Sequence, residues 1–189
     1  IKEIIKERVL VLDGPMGTMV QGYGLKETDF RGSEFKDHHM DLVGNNDILS
    51  ITRPDIISEI HKSYLQAGAD LIETNTFNAN SISQADYQME HMVYDLNLQS
   101  AKIAKDISDR FTKSNPNKPR FVCGAIGPTN QTASMSPDVS DPGHRNVDFD
   151  QLVDSYKEQV CGLIDGGVDI LMIETVFDTL NCKAALFAM

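Results

Sequence analysis

The chain has few cysteine and histidine residues, the types that form most zinc sites and disulfide frameworks. It contains no tryptophan and only three cysteines among 189 residues, and these stand far apart at positions 123, 161 and 182. No CxxC pair or adjacent cysteine pair is present, so nothing supports a local zinc cluster or a disulfide framework. The five histidines likewise form no HxxxH or HExxH arrangement. We therefore predict that these residues hold no metal and that the cysteines are buried, reduced thiols.

Basic residues are also scarce, with 17 Lys and Arg against 28 Asp and Glu and a net charge of −11. A nucleic acid or an anionic membrane surface would require clustered Lys and Arg, so neither partner is predicted. No apolar run approaches the roughly 20 residues that span a bilayer. Charged residues interrupt the apolar ones at the start, IKEIIKERVLVLDG, which is not typical of a signal peptide. We expect a cytoplasmic protein with the composition of an ordinary globular domain.

What the sequence does contain is a fourfold alternation of short apolar segments with helical patterns. The four predicted strands are residues 8–13, Leu71–Ile72, Phe121–Ile126 and Ile170–Ile173. The predicted helices are about residues 54–67, 82–111, 149–164 and 179–189, with Pro54 in the first turn of the first and Asp148 and Asp178 as N-caps of the last two. Residues 18–50 have no apolar period and predict a long loop, and the polar loop 131–146 is a candidate lid.

This alternation predicts an α/β fold with a parallel sheet. Four βα units are half of a (β/α)₈ or TIM barrel, which typically has about 250 residues, and the alternative is an open doubly wound sheet. The segment GPMGT has too few glycines for a dinucleotide-binding GxGxxG, and no GxxxxGK[ST] is present, so the open sheet lacks its usual ligand signature. We predict a partial TIM barrel in which residues 1–189 are the N-terminal half of one barrel domain. The apolar, uncapped end of the last helix agrees with a domain that continues.

Three of the predicted strands lead into an acid, namely Asp13, Glu73 and Glu174. The carboxyl ends of parallel strands meet at one rim, so we expect these acids to converge, and uncompensated acids favour a cationic ligand. Gly14 follows Asp13 and lets backbone N–H groups approach a ligand carboxylate. An α-amino acid carries an ammonium and a carboxylate and needs both arrangements. For each acid taken alone, a turn, a helix cap or an ion pair is a reasonable alternative.

Asn75, Thr76 and Asn130 follow strand ends as well. Their side chains are able to donate or accept hydrogen bonds at the same rim, although capping a loop is the more common role of such residues. We include Asn75 and Thr76 with the three acids and Gly14 as the predicted substrate-binding residues. The sequence indicates no catalytic residue among them.

Seven segments, in order and spanning nearly the whole chain, are similar to one known family. They are LDGPMGTM, FRGSEFKDH, GNNDILSITRPD, AGADLIETNTF, QADYQME, GAIGPTNQTASMSPDV and GGVDILMIETVFDTLNCKAALFA. Together they resemble the N-terminal homocysteine-binding module of the cobalamin-dependent methionine synthases. GNNDILSITRPD is the more specific part, because the wider homocysteine S-methyltransferase group, which includes the betaine-dependent enzymes, shares mainly the Asp-Gly and Glu-Thr strand ends.

The resemblance implies a TIM barrel that binds homocysteine beside a zinc ion held by three cysteine thiolates. The zinc lowers the pKa of the substrate thiol, which takes a methyl group from methylcobalamin to give methionine. The cobalamin lies on a separate domain and is recharged from 5-methyltetrahydrofolate on a folate-binding domain. By the family pattern Asp13 and Glu174 hold the ammonium of homocysteine, while the backbone at Gly14 and groups within residues 73–76 bind its carboxyl end.

One departure from the family pattern limits what the resemblance implies. The zinc cysteines of the family lie in the second half of the barrel, and Cys123, Cys161 and Cys182 do not stand in those contexts. Zinc and methylcobalamin are therefore expected in the full-length enzyme, while residues 1–189 alone are expected to bind neither and to catalyse no methyl transfer. The expected partners are homocysteine, the second half of the barrel, and the folate-binding and cobalamin-binding domains.

Three other interpretations remain open at this stage. The first is a homocysteine S-methyltransferase that uses betaine or S-methylmethionine as its methyl donor. The second is a fragment that binds an amino acid and catalyses nothing. The third, an unrelated half-barrel enzyme with a phosphorylated substrate, is less favoured because no glycine-rich phosphate-binding segment occurs late in the chain.

Overall fold

The computed structural model describes all 189 residues and has an α/β fold. Its sheet is parallel, in the order β1–β2–β3, with β1 at Leu71–Glu73, β2 at Phe121–Ile126 and β3 at Ile170–Ile173. The α-helices are α1 Ile4–Glu7, α2 Met16–Gln21, α3 Glu27–Arg31, α4 Leu49–Thr52, α5 Pro54–Ala67, α6 Ser81–Gln84, α7 Val93–Ser114, α8 Phe149–Asp165 and α9 Thr179–Ala188. Three of the four predicted strands are thus present, and the parallel arrangement is confirmed.

The first predicted strand, residues 8–13, forms only a single parallel bridge between Leu12 and Leu71. The backbone N–H of Asp13 donates to the Leu71 carbonyl at 3.0 Å, so the segment runs beside β1 as predicted. Further towards the N-terminus, the Asp70 carboxylate takes the place of a strand partner. It accepts from both guanidinium NH2 groups of Arg8 at 2.8 Å and from the backbone N–H of Val11 at 2.9 Å. The strand prediction was therefore wrong in extent, because the Asp70 side chain satisfies the Val11 N–H that a longer ladder would have paired.

The predicted helix 82–111 is interrupted. After α6 come two 3₁₀ turns, Ala85–Tyr87 and Glu90–Met92, and α7 begins only at Val93. Gln88 between the turns has a left-handed backbone with φ 53°, which a continuous helix cannot contain. The break allows Met89 to turn into the core, where it is fully buried. Burial of this side chain therefore overrides the local helical pattern.

Residues 18–50, predicted as a loop, contain most of α2, all of α3, part of α4 and a 3₁₀ turn at Asn46–Ile48. Phe30, Leu42 and Ile48 from this segment are buried against α5 and α7 in one apolar cluster. Helices of four to six residues are too short to show an apolar period, so the pattern could not reveal them.

The predicted helix ends are largely confirmed. Pro54 is the first residue of α5, and Gly68 ends that helix in the left-handed conformation with φ 113°. Asp148 caps α8 in a reciprocal capping box with Gln151, and Asp178 caps α9 by accepting from two backbone N–H groups. None of the nine helices combines the length and apolarity that crossing a membrane requires.

The two faces of the sheet have different surroundings. Ile72 and Val122 pack against α5 and α7, and Leu171 packs against α8 and α9. Side chains on a strand alternate between faces, so the paired residues Glu73 and Cys123 point to the opposite face. The helices therefore cover one face, while the other carries Glu73 towards the carboxyl end of the sheet.

Candidate functional site

A cavity of about 300 Å³ lies at the carboxyl ends of the strands. All six residues predicted to bind the substrate line it: Asp13, Gly14, Glu73, Asn75, Thr76 and Glu174. The remaining lining residues are Pro15, Met16, Gly17, Gly44, Asn46, Asp47, Thr74, Phe77 and Asn78. No Lys, Arg or His is among them. The tertiary structure thus collects the predicted residues in one place, whereas their binding role stays a prediction.

Asp13 is held in place by the end of β1. Its Oδ2 accepts a hydrogen bond from the backbone N–H of Glu73 at 3.1 Å. Its Oδ1 is buried and has no hydrogen-bond partner in the protein. A buried carboxylate oxygen without a partner is costly, so this atom is suited to accept from a ligand.

Glu174 directly follows β3, and its backbone N–H donates to the Ile126 carbonyl at 3.1 Å. The next residue, Thr175, has a left-handed backbone with φ 54°. This conformation is a genuine outlier for a β-branched residue, and strain of this kind concentrates at functional positions. The Thr175 hydroxyl lies 3.5 Å from Oε2 of Glu174, and no cationic side chain contacts this carboxylate. The strained turn therefore presents Glu174 to the cavity without a protein counter-ion.

Burial raises the pKa of all three acids, and the charge of a neighbouring acid adds to the shift for Asp13 and Glu73. Burial raises the pKa of Asp13 to about 7, and the charges of Glu73 and Glu174 add to the effect. Burial also raises the pKa of Glu73 to about 7, with a further contribution from the charge of Glu174. The pKa of Glu174 is raised by burial as well. A cation placed among the three would offset both causes, so the electrostatics of this end of the cavity favour a ligand such as an ammonium.

The side chains of Thr74, Asn75 and Thr76 are part of a buried hydrogen-bond network. The Asn75 amide nitrogen donates to the Asn46 carbonyl at 2.7 Å and to the Ser50 hydroxyl at 3.3 Å. The Thr76 hydroxyl donates to the Ala125 carbonyl, while the Thr74 oxygen accepts from the Ala125 N–H. The Thr74 hydroxyl, 2.6 Å from that of Thr76, is then left to donate to it. The side-chain donors of these three residues are consequently occupied. Of the Asn75 side chain, only the amide oxygen remains available to a ligand.

Gly14 packs closely against the side chain of Tyr64. A Cβ atom at this position would lie 2.9 Å from Cε1 of Tyr64, whose hydroxyl donates to the Pro15 carbonyl at 3.3 Å. The aromatic ring on α5 thus fixes the turn that follows Asp13. Asn130 does not reach the cavity, because its amide donates to Asp86 at 2.8 Å on the protein surface.

Sequence reasoning did not single out two further residues of the cavity, Asn46 and Asp47. Asp47 is only 4% exposed, and its Oδ1 accepts from the backbone N–H of Asn78 at 3.2 Å. Burial raises the pKa of Asp47 to about 7. Both residues belong to the segment GNNDILSITRPD, whose specificity was the only sequence signal that could have indicated them.

The loop 131–146, considered as a lid, contributes no residue to the lining of this cavity. Its Ser134 hydroxyl donates to the Asp178 carboxylate, and Arg145 donates to the carbonyl of Ala133 at 2.9 Å. The loop is thus tied to itself and to the start of α9.

The three cysteines lie in three different settings. Cys123 is buried on β2, Cys161 is exposed on α8, and Cys182 on α9 is partly exposed. The prediction of buried thiols was therefore confirmed for Cys123 and wrong for Cys161 and for the partly exposed Cys182. Burial and the charges of Glu73 and Asp13 raise the pKa of Cys123 to about 12, so this thiol stays protonated. No group of three His, Cys, Asp or Glu side chains is placed to hold a metal ion.

Residues 10–189 match the model of a protein family described as homocysteine S-methyltransferase. The match covers nearly the whole chain, including every residue of the cavity. The chain belongs to the homocysteine S-methyltransferase family. Membership agrees with the resemblance of the sequence segments at the level of the wider homocysteine S-methyltransferase group.

Solved structures of one enzyme support the same fold. The metallated form of the homocysteine methyltransferase MmuM from Escherichia coli is 21% identical and superposes with a TM-score of 0.73, covering 98% of this chain and 62% of that one. The oxidised form is 22% identical with a TM-score of 0.70, covering 95% and 58%. The chain thus spans less than two thirds of that enzyme. At this identity the likeness shows the fold alone, and it confirms the predicted partial TIM barrel.

Proposed function

We propose that this homocysteine S-methyltransferase chain binds homocysteine in the cavity at the carboxyl ends of its strands. The observation that carries the proposal is a group of three half-buried carboxylates, those of Asp13, Glu73 and Glu174, with no cationic side chain in the same cavity. The ammonium of an α-amino acid supplies the missing cation. Gly14 lines the same cavity, and its backbone N–H suits the carboxyl end of the same ligand.

Binding of an ammonium couples to protonation. The ligand-free acids Asp13 and Glu73 have pKa values raised to about 7, so each is partly protonated near neutral pH. The ammonium stabilises their charged forms and lowers both pKa values. We therefore expect protons to leave the protein when homocysteine binds near pH 7.

We further propose that the full-length protein is a cytoplasmic, cobalamin-dependent methionine synthase, of which residues 1–189 form the N-terminal half of the homocysteine-binding barrel. The segment GNNDILSITRPD, which contributes Asn46 and Asp47 to the cavity, supports this choice of methyl donor. The partners are then the remaining βα units and the folate-binding and cobalamin-binding domains. The second candidate is an enzyme that uses betaine or S-methylmethionine, which the broader family match supports equally.

The unpaired sides of the sheet support the proposed barrel. Val9 is 84% exposed and Val11 is 55% exposed beside β1, and Phe177 beyond β3 is 58% exposed. Further strands and helices would bury these side chains and pair the strand edges.

The residues present do not fit the zinc ion of the proposed enzyme. Cys123, Cys161 and Cys182 lie on separate elements, and Cys123 is held as a neutral thiol beside carboxylates. Activation of the homocysteine thiol therefore falls outside what these residues do. Their proposed contribution is to bind and orient the amino-acid end of the substrate.

The test is isothermal calorimetry of homocysteine binding, with and without zinc, by this chain and by a version extended through the rest of the proposed barrel. We expect zinc-dependent binding by the extended chain only. Glu174→Gln removes one of the three charges at nearly constant size and should lower the affinity of the extended chain about tenfold or more. Glu90→Gln, at an exposed position outside the cavity, is the matched control.

Absence of homocysteine binding by the extended chain would refute the proposed function. Equal affinities of the Glu174→Gln variant and the unsubstituted protein would refute the role of the carboxylates. If methionine formation by the full-length protein requires cobalamin, the methyl donor is methylcobalamin. If it does not, betaine or S-methylmethionine is the candidate donor.

A further inference from the structure

The cavity provides few side-chain donors for the carboxylate of an amino acid. Asp13, Glu73 and Glu174 are acceptors when ionised. The donors of Thr74, Asn75 and Thr76 are already bonded within the protein. Backbone N–H groups aside, the donors left in the lining are the side-chain amides of Asn46 and Asn78.

The backbone of Asn46 is fixed, whereas its side chain is free. Its carbonyl accepts from the Asn75 amide at 2.7 Å, and its N–H donates to the Gly44 carbonyl at 3.0 Å. The adjoining Asp47 is buried and accepts from the Asn78 N–H. The Asn46 amide itself bonds to no protein group, and its Nδ2 lies 4.0 Å from the position that a Cβ would take on Gly17. The hydrogen-bonded backbone around Asn46 thus holds an unpaired side-chain amide beside the start of α2. This helix begins shortly after Asp13 in the chain.

We propose that Asn46 is a specificity-determining residue whose side-chain Nδ2–H donates to the carboxylate of the bound amino acid. The inference rests on the proposed function and adds a residue to it. Asn46 is half-buried, whereas Asn78 is exposed, so water competes less for the Asn46 amide. Its neighbour Asp47 is an acid and would repel a carboxylate when ionised. The three acids would then bind the ammonium of the ligand, and Asn46 would bind its carboxylate.

Two ligands separate this role from a structural one. Homocysteine has both charged ends, whereas 3-aminopropane-1-thiol keeps the ammonium and the thiol and lacks the carboxylate. Affinities of both are measured by calorimetry on the extended, zinc-loaded chain. Asn46→Ala should weaken homocysteine binding about tenfold and leave the aminothiol unchanged, because a hydrogen bond to a charged group is lost only for homocysteine.

Two further variants complete the experiment. Asn46→Asp keeps the size of the side chain but replaces the donor by a charge; it should weaken homocysteine binding more than Asn46→Ala and leave the aminothiol bound equally or more tightly. Asn78→Ala removes the other free amide and should change neither affinity more than about twofold. If Asn46→Ala does not fold, the isosteric Asn46→Asp carries the comparison.

The outcomes distinguish the two proposals. Equal losses for both ligands in the Asn46 variants would assign Asn46 a structural role and overturn the inference. Unchanged homocysteine binding by these variants, or a loss in Asn78→Ala instead, would overturn it as well. Binding of neither ligand by the unsubstituted protein would refute the proposed function itself.

Discussion

At the scale of single residues, the cavity is defined by what its side chains lack. Asp13 has a buried oxygen without a partner, and Glu174 has no cationic neighbour. Uncompensated buried charge costs folding free energy, so such groups are typical of binding sites rather than of structural ion pairs. The contrast within this chain is Asp70, whose two bonds from Arg8 lower its pKa to about 2. Asp70 ties the N-terminal segment to β1, while the acids of the cavity have no such partner.

His61 on α5 provides a prediction at this scale. Its ring is fully buried, neither nitrogen has a hydrogen-bond partner, and burial lowers its pKa to about 4. His61→Leu should therefore raise the free energy of unfolding by about 1–2 kcal/mol at pH 7, because two unsatisfied polar atoms leave the core. At pH 5 the gain should be larger, since the unfolded histidine is protonated there while the folded one is neutral.

Urea unfolding at both pH values measures the effect of this substitution. His91→Leu at an exposed position is the control and should change stability little. A His61→Leu variant that is less stable than the unsubstituted protein at both pH values would show that the ring packs in a way leucine cannot reproduce.

At the scale of elements, two helices pack unusually closely. A Cβ on Gly162 of α8 would lie 2.6 Å from the Tyr94 carbonyl oxygen and 2.8 Å from Cβ of Asn97, both on α7. Gly166, one turn later, would contact Ala101 in the same way. Glycines at the crossing therefore set the separation of α7 and α8, and through it the position of β2 and β3, which precede and follow α8.

Gly162→Ala tests this packing. The added methyl group meets backbone atoms that cannot rotate away, so α7 and α8 must separate, and we expect a loss of about 1–3 kcal/mol in the free energy of unfolding. Gly143→Ala is the matched control, because its nearest neighbour is a side-chain oxygen of Asp141 at 3.4 Å in an exposed loop. Equal melting temperatures for the two variants in thermal unfolding would contradict close packing at the crossing.

At the scale of the whole molecule, the raised pKa values predict how stability varies with pH. Asp13, Asp47 and Glu73 have folded-state pKa values of about 7, above those of the unfolded chain. The folded state thus binds more protons between about pH 4 and 7, and stability falls as the pH rises through this range. His61 acts in the opposite direction below about pH 6.5, but it is one group against three.

We expect the melting temperature of the ligand-free protein to fall from pH 5 to pH 8. Asp47→Asn should reduce the slope, because Asp47 is buried and has no cationic partner; its contribution is at most about 1.4 kcal/mol per pH unit. In the extended, zinc-loaded chain, homocysteine should reduce the slope as well, because its ammonium favours the charged forms of Asp13 and Glu73. Stability that rises steadily with pH over this range would contradict the protonation of these acids.

Local sequence patterns were sufficient to predict the α/β alternation, the caps at Asp148 and Asp178 and the acids at the strand ends. These features depend on local chemistry: the period of apolar residues, the preference of Asp for helix N-termini, and the polar residues that directly follow an apolar strand segment. Motif content was enough for the family resemblance, which the family match supports at its broader level.

Which hydrogen-bond donors and acceptors of the cavity remain free depends on long-range contacts that no local pattern contains. Asn75 follows the end of β1, and Asn46 begins a 3₁₀ turn. Long-range hydrogen bonds occupy the side-chain amide of Asn75 and leave that of Asn46 unpaired. The same holds for the break before α7, where burial of Met89 outweighs helical propensity. Hydrogen-bond partners 25 or more residues away along the chain leave no local pattern, so the sequence supplied the side chains of the site and the fold decided their roles.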